Sequence, residues 1–310
     1  MRQLIFLTLS IVGLLPSFAQ TKKVCVSIDD LPTVSYGVND STSLKNLTEK
    51  LIGSLKKNKI PAIGFVNEIK LYENDVIIPF QVRLLTRWVE SNLELGNHTF
   101  SHPDYNNHSM KFFSNDILKG EVVTKKVLSG KRLTLKYFRH PFLHTGNPKQ
   151  KNDSLDYFLT RHGYTIAPVT IDNEDYLFAL AYKRANDKGD HTLMKQIGSD
   201  YVAYMENKVL YFEIQARALF GRNINQILLI HASLLNADYM DELAKMLRKN
   251  DYDFISMQES LRDEAYNTPV TVFGNWGISW IDRWALSQGK KGDFFKGDPA
   301  IPDYIKKLSQ

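Results

Sequence analysis

Short apolar segments alternate with amphipathic helical patterns along this chain, and the alternation restricts its fold more than any other feature. The first strand is predicted at 23–28 and the first helix at 41–58, where leucines recur at helical spacing. Further strands are predicted at 60–66, 94–98, 137–138, 165–170, 226–230 and 253–256, and further helices at 76–93, 112–128, 154–162, 193–219 and 238–249. Strands that alternate with helices form a parallel sheet or barrel. Because no repeat or linker interrupts the pattern, we expect one α/β domain.

Polar side chains stand directly after most of the predicted strands: Asp29, Asp30, Asn67, His98, His102, Arg139, Asp172, Asp175 and His231. In a barrel of parallel strands, the carboxyl ends of the strands meet at one mouth. Chance would not be expected to place Asp, His or Arg at so many of these turns. The sequence therefore predicts a metal or acid–base site at that mouth.

The histidine spacing indicates what this site could bind. His98 and His102 are four residues apart, so on a helical turn both imidazoles could reach one ion. Together with one carboxylate of the Asp29–Asp30 pair, they form a set that suits a catalytic Zn²⁺ with one position open for water. The ion would lower the pKa of its bound water and polarise a carbonyl, and the second carboxylate could accept the water proton.

The remaining polar residues could complete a hydrolytic site. An expelled amine or alcohol needs a proton donor, and His231 after the strand at 226–230 is the candidate. A carboxylate beside His231 would keep it protonated, and Asp175 is the best placed by strand order. Arg139 could orient the basic aspartate and keep it ionised.

Five motifs in the sequence carry a family resemblance. They are Ser-Ile-Asp-Asp-Leu-Pro at 27–32, His-Thr-Phe-Ser-His at 98–102, Arg-His-Pro-Phe at 139–142, Asp-Asn-Glu-Asp-Tyr at 172–176 and Leu-Leu-Ile-His at 228–231. In this order they resemble the motifs of the polysaccharide deacetylases, the family 4 carbohydrate esterases, over residues 22–260. The order of five motifs is more specific than any one of them.

The resemblance implies a fold and a set of residue roles. The implied fold is a distorted (β/α)₇-type barrel. The implied roles are Asp29 as base, Asp30 with His98 and His102 as metal ligands, Arg139 as tether of Asp29, Asp175 as partner of the acid His231, the N–H of Phe142 as an oxyanion donor, and Tyr176 at the wall of the acetyl pocket. The expected cofactor is Zn²⁺, although Co²⁺, Ni²⁺ or Mn²⁺ can occupy similar sites.

The implied activity is removal of an acetyl group from the amide of an amino sugar, usually N-acetylglucosamine in a polymer, by a metal-bound water. The partner would be an acetylated carbohydrate or cell-wall polymer. Leu31 replaces the family's glycine and is expected to place a bulky side chain beside the metal loop, and Tyr176 replaces the usual tryptophan. These departures leave an O-acetyl carbohydrate esterase or a small-molecule amidase as alternatives. A non-catalytic carbohydrate-binding protein is disfavoured, because base and acid are both present.

The N-terminus predicts export. Residues 1–19 have the pattern of a signal peptide, with Arg2, an apolar run at 4–15, and small residues Ser17 and Ala19 before the cleavage site. We expect a periplasmic or secreted protein without stable membrane insertion after cleavage. The net charge of +5 is spread along the chain, so nucleic-acid binding is not indicated.

Two further segments complete the predicted organisation, in which the barrel spans 20–265 and an aromatic extension packed on it spans 266–310. In the extension, Trp276, Trp280 and Trp284 are spaced by four and are predicted to share one helical face against the core. The insertion at 177–225 is predicted to be packing helices, and 289–310 is predicted to be loosely ordered.

Overall fold

Seven parallel strands form the central sheet of the protein, which is described by a computed structural model over residues 22–38 and 40–310. The strands in chain order are β1 (Lys22–Val34), β2 (Ile63–Val66), β3 (Tyr72–Glu73), β4 (Val76–Ile77), β5 (Glu94–Asn97), β6 (Tyr137–Phe138), β7 (Thr165–Ile166), β8 (Gln226–Ser233) and β9 (Tyr252–Phe254). The sheet order is β7-β6-β5-β2-β1-β8, and β9 also pairs with β1. The strands β3 and β4 form a separate antiparallel hairpin.

The two ends of this sheet meet through the segment that follows β7. The N–H groups of Thr170 and Ile171 each donate to the carbonyl of Ile227 in β8 at 3.0 Å. Ile171 also forms a parallel bridge with Leu228. The predicted α/β fold, a distorted (β/α)₇-type barrel in a single domain, is thus confirmed.

Helices cover the outside of the sheet. They are α1 (Ser41–Lys57), α2 (Pro79–Glu90), α3 (Met110–Lys119), α4 (Val122–Ser129), α5 (Lys149–Arg161), α6 (Asp175–Asp187), α7 (His191–Phe220), α8 (Leu234–Lys249), α9 (Met257–Ser260), α10 (Trp280–Ser287) and α11 (Asp303–Leu308). Helix α1 shows why they form where they do: Asp40 caps it by accepting from the N–H of Ser43 at 2.8 Å, and its leucines are buried.

Several elements differ from their predicted bounds, and two of the differences lie close to the motif residues. The helix predicted at 112–128 is two helices, α3 and α4, which are separated by Gly120 and Glu121. A side chain on Gly120 would meet the backbone of Thr99 at 2.4 Å. Only glycine therefore fits at the end of α3, where the chain passes the loop that contains Thr99. Strand β1 also continues past its predicted end at 28, and its register with β8 shifts between Asp29 and Val34. The irregularity follows Asp29, which is still paired with His231, and takes Asp30 out of the regular ladder with β8.

The C-terminal extension is more ordered than its composition suggested. The prediction that three tryptophans share one helical face is wrong, because α10 begins at Trp280 and Trp276 precedes it. Trp284 is buried against Phe220 and Tyr266, whereas Trp276 is 36% exposed. The prediction of a loose end at 289–310 is also wrong: this stretch contains α11, whose Ile305 is buried among apolar side chains.

The predicted signal peptide at 1–19 lies outside the described residues, so its prediction stays open. Within 22–38 and 40–310, no helix is both long enough and apolar enough to cross a membrane.

Candidate active site

Asp30, His98 and His102 bring three potential metal ligands together at the carboxyl ends of β1 and β5. One ligand atom from each lies within 4.8 Å of the others. Oδ1 of Asp30 is 3.6 Å from Nε2 of His98 and 3.7 Å from Nε2 of His102, which is too long for hydrogen bonds. Ligands bound about 2.1 Å from a tetrahedral Zn²⁺ stand about 3.4 Å apart, so this spacing fits an ion among them. The predicted ligand set is assembled, and its occupancy by metal stays a prediction.

The charges of these three groups also suit a divalent cation. Oδ1 of Asp30 is buried and has no hydrogen-bond partner among the described residues. Burial opposes the ionisation of Asp30, but the charge of Lys70 is the largest of the effects that outweigh it and hold the pKa of Asp30 below its ordinary value. Burial lowers the pKa of His98 and that of His102, so both rings are neutral. A carboxylate and two neutral imidazoles are the protonation states that a metal requires.

Hydrogen bonds orient the His98 ring. Its Nδ1 lies 2.8 Å from the carbonyl of Arg139, so Nδ1 carries the proton and Nε2 faces the other ligands. The carbonyl of His98 in turn accepts from Nδ2 of Asn67 at 2.6 Å. Asn67, which the sequence placed among the polar residues after the strands, thus stabilises the loop that carries His98.

Asp29 lies beside the ligand set and is almost completely buried. Its Oδ2 is 3.7 Å from Nε2 of His98 and 3.6 Å from Nη1 of Arg139, while its Oδ1 has no hydrogen-bond partner within the described chain. Arg139 is itself buried, and its Nη2 donates to Oγ of Ser27 at 2.9 Å. Burial raises the pKa of Asp29 to about 6, against the opposing charges of Arg139 and His231. Asp29 is therefore a carboxylate at neutral pH that can still accept a proton.

His231 forms a hydrogen-bonded pair with Asp175, as predicted from strand order. Nδ1 of His231 is 2.6 Å from Oδ1 of Asp175, and its backbone N–H donates to Oδ2 at 2.8 Å. Asn236 donates to the same Oδ2 at 2.7 Å. Burial alone would lower the pKa of His231, but the Asp175 carboxylate raises it to about 9. The imidazole is therefore protonated at neutral pH and can donate a proton.

The sheet sets the relation between the two acid–base groups. Asp29 of β1 and His231 of β8 are direct partners in the parallel register of these adjacent strands. Asp175 reaches His231 from the first turn of α6. Asp29 and His231 line a cavity of about 580 Å³, and the three potential metal ligands line the same cavity.

The turn after β6 lies over this cavity. Phe142 has φ +56° and Leu143 φ +55°, a left-handed conformation that non-glycine residues rarely adopt. The N–H of Phe142 has no acceptor among the described residues, so it is free to meet an anionic oxygen. Its ring packs edge-on against His102, with centroids 4.4 Å apart.

Tyr176 is on the cavity wall beside His231, with ring centroids 6.3 Å apart and 46% of its surface exposed. The hydroxyl of Tyr36 donates to its carbonyl at 2.8 Å. The insertion at 177–225 contributes none of the described residues that line the cavity; its helices pack against α8 and the C-terminal extension.

The expectation that Leu31 crowds the metal loop is wrong. Its side chain is 1% exposed and points into the core, where it occupies the space above Gly64. A side chain on Gly64 would come within 2.1 Å of Leu31 Cδ1. Leu31 and Gly64 are thus a large and a small residue packed together on neighbouring strands. The leucine that replaces the family's glycine does not reach the cavity.

Sequence reasoning did not find three residues that support the site. Lys70 donates to the carbonyl of Asp30 at 2.7 Å, Asn236 holds Asp175, and Gly277 of the C-terminal extension lines the cavity. Only Asn236 had a local signal, because it stands five residues after His231 at the start of α8. Lys70 and Gly277 reach the site through tertiary contacts.

Comparison with known proteins supports the family resemblance. The family model described as polysaccharide deacetylase matches residues 19–167, which include the first three motifs. A search of curated proteins by sequence found no match.

Similar folds occur among solved structures. A mutant of a family 4 carbohydrate esterase pseudoenzyme from Bacillus anthracis is 15% identical, with 78% of this chain and 68% of that chain covered and a TM-score of 0.50. A family 4 carbohydrate esterase from the same organism is 18% identical, with 79% and 84% covered and a TM-score of 0.48. A peptidoglycan deacetylase from Bacillus subtilis is 21% identical, with 78% and 93% covered and a TM-score of 0.49. At these identities the likeness is one of fold.

The motif order, the barrel and the match of the family model agree with one another. Over residues 19–167 the chain matches the polysaccharide deacetylase family model, and this match supports the predicted resemblance.

Proposed function

We propose that the protein is a metal-dependent hydrolase that removes acetyl groups from the amide of an N-acetylated amino sugar in a carbohydrate polymer. The observation that carries the proposal is the arrangement of Asp29 and His231 on adjacent strands, with the Asp30–His98–His102 set in the same cavity. The family resemblance alone would not suffice, since a similar fold is found in a pseudoenzyme. Both a base and an acid are present here, in protonation states that suit their roles.

The residues Asp30, His98 and His102 would hold the ion, and Zn²⁺ suits two imidazoles and a carboxylate best. When bound, the ion would supply Lewis acidity toward the acetyl carbonyl and lower the pKa of a bound water. Asp29 would accept the proton of the attacking water, and Arg139 would keep Asp29 oriented and ionised.

The other side of the reaction uses the turn and the acid. The N–H of Phe142 would donate to the acetyl oxygen as negative charge develops on it. His231, kept protonated by Asp175, would give its proton to the leaving nitrogen. The C–N bond breaks, acetate forms with the oxygen of water, and the sugar leaves as a free amine.

The half-exposed Tyr176 favours one alternative. Tyrosine replaces the tryptophan usual at this position in the family, so the wall of the acetyl pocket would have a different shape and could suit a different acetylated substrate, such as an ester. An O-acetyl carbohydrate esterase would use the same base and acid.

The test is acetate release by the metal-reconstituted protein. The panel comprises N-acetylglucosamine oligomers, peptidoglycan, acetylated xylan and an aryl acetate. Asp29→Asn should retain the metal and lose about 10²–10⁴-fold in rate, while Asp30→Asn should lose the metal. Release from an amino-sugar substrate would support the proposal. Release from the esters alone would replace it with the esterase, and an Asp29→Asn protein as active as the wild type would contradict the assigned base.

A further inference from the structure

A second imidazole–carboxylate pair lines the cavity of the proposed active site. Nδ1 of His144 is 2.6 Å from Oδ1 of Asp104, and His144 lies on the wall of the same cavity as Asp29 and His231. His144 follows the turn that carries Phe142, and Asp104 follows the loop that carries His102. None of the roles assigned above uses this pair.

Several hydrogen bonds fix both members of the pair. Asp104 accepts from the N–H of Asn106 at 2.8 Å and from Nδ2 of Asn107 at 2.6 Å. The N–H of His144 donates to the carbonyl of Pro141 at 3.0 Å. The imidazole is thus held in one orientation, with Nδ1 turned to the carboxylate.

The C-terminal extension supports the ring from another side. A side chain on Gly277 would lie 3.4 Å from Cδ2 of His144 and 2.0 Å from the carbonyl of Phe142. This close approach leaves no room for any residue larger than glycine between the extension and the turn.

Nε2 of His144, the second ring nitrogen, is available for contact with a ligand. It has no hydrogen-bond partner among the described residues. The atom is not buried, and the side chain keeps 18% of its surface exposed. A pair that served only to join the two loops would need Nδ1 alone. Nε2 can form a hydrogen bond with a hydroxyl group, because a hydroxyl both donates and accepts.

We propose that His144, oriented by Asp104, is a specificity-determining residue whose Nε2 forms a hydrogen bond with a hydroxyl of the carbohydrate substrate. The inference rests on the proposed function for the identity of the ligand. Asp104 is a positioning residue in this scheme. A polymer with free hydroxyls would gain from the contact, and a small acetate ester would not.

The experiment measures binding and turnover separately. In the Asp29→Asn protein, the Kd for an N-acetylglucosamine tetramer is measured by calorimetry, with and without His144→Phe. Phenylalanine keeps an aromatic ring and removes the nitrogen that bonds the hydroxyl. We expect a Kd about tenfold weaker, which corresponds to the loss of about one hydrogen bond. His144→Gln, which places a polar atom near the position of Nε2, should recover part of that affinity.

Controls separate this role from a structural one. His162→Phe changes an exposed imidazole at the end of α5 that is bonded to its own helix, and it should leave the Kd unchanged. In the otherwise wild-type protein, His144→Phe should raise KM for the tetramer much more than it changes the rate with an aryl acetate. Metal content should match that of the parent protein.

Two results would overturn the inference: an unchanged Kd in His144→Phe, or equal losses with the tetramer and the aryl acetate. A wild-type protein that binds the tetramer but never releases acetate would instead contradict the proposed function, and the Kd comparison would still decide the role of His144.

Discussion

Several residues around the proposed metal centre have backbone conformations that L-amino acids rarely adopt. Asp30 has φ +68°, His102 φ +55° and Phe142 φ +56°. Each such residue costs about 1 kcal/mol or more relative to an ordinary conformation. The surrounding packing offsets this cost, and the result is that two of the proposed metal ligands and the proposed oxyanion donor line the same cavity.

The protonation of His231 predicts the alkaline limit of activity. Burial lowers the pKa of His231 and Asp175 raises it, to about 9 overall. Since the proposed acid must be protonated, kcat/KM should fall as the pH rises through about 9. Asp175→Asn removes the opposing carboxylate, so the fall should move to lower pH. Tyr176→Phe is the control, because this nearby phenol also titrates in the alkaline range. If the alkaline fall in kcat/KM moved with Tyr176→Phe and not with Asp175→Asn, the assignment of His231 as the acid would be refuted.

Leu31 offers a test of whether a family departure affects stability or substrate. Leu31→Ala should lower the free energy of unfolding by about 3 kcal/mol, because it leaves a cavity above Gly64. Acetate release per folded molecule should not change. Leu210→Ala, at a position 37% exposed, should cost far less. Urea unfolding measures both, and an altered KM with intact stability would place Leu31 in the substrate site after all.

At the scale of elements, the C-terminal extension holds the turn over the active site. Nη2 of Arg283 in α10 donates to the carbonyl of Leu143 at 2.8 Å and to that of Trp276 at 3.1 Å. The N–H of Trp280 donates to Val169 at 2.7 Å, which ties α10 to the barrel. The turn that offers the Phe142 N–H is therefore shaped by residues more than 130 positions later in the chain.

A pair of glycine substitutions tests this coupling. In Gly277→Ala, the new Cβ would meet the carbonyl of Phe142 at 2.0 Å, so the turn must shift. We expect kcat to fall about tenfold or more and the melting temperature to drop. Gly53→Ala makes the same chemical change on the exposed face of α1, where nothing lies within 4 Å. It should stabilise the protein by about 0.5–1 kcal/mol.

The comparison is read from acetate release and from thermal unfolding of both variants. If Gly277→Ala behaved like Gly53→Ala in both measurements, the C-terminal extension would not determine the conformation of the turn that carries Phe142.

Local patterns predicted the elements that depend on local chemistry. The strands, most helices and the polar residues at strand ends followed from apolar periodicity, and the family resemblance separated the roles of Asp29 and Asp30. What the patterns missed depends on distant packing. The direction of Leu31 is decided by Gly64 on a neighbouring strand, and the close approach of Gly277 to Phe142 brings the C-terminal extension to the turn over the cavity. Neither contact leaves a periodic signal in the sequence.

At the scale of the whole molecule, the proposed metal would join separate parts of the chain. Asp30 belongs to β1, whereas His98 and His102 follow β5. An ion that binds only the folded state adds about 2.7 kcal/mol at a concentration 100-fold above its Kd. Removal of metal by a chelator should therefore lower the melting temperature by several degrees. Asp30→Asn should show no such response, and an equal response in this variant would place the ion elsewhere.

We also propose that the chain is exported after cleavage following Ala19. Strand β1 begins at Lys22 in the middle of the sheet, so this cleavage would leave the whole strand intact. The intact mass of protein recovered from outside the cytoplasm should correspond to a chain that starts at Gln20. Replacement of Ala19 by a bulky residue should leave a longer form, and full-length protein confined to the cytoplasm would refute export.

The register of β1 with β8 has a consequence for how such an enzyme can diversify. Asp29 and His231 are fixed by a backbone ladder, whereas Phe142, His144 and Tyr176 stand on turns or at a helix start outside it. If these residues have the proposed roles, proton transfer and substrate choice reside in separable parts of the chain. Loops exchanged between relatives could redirect the protein to a new polymer, and the reaction itself would be inherited unchanged with the strands.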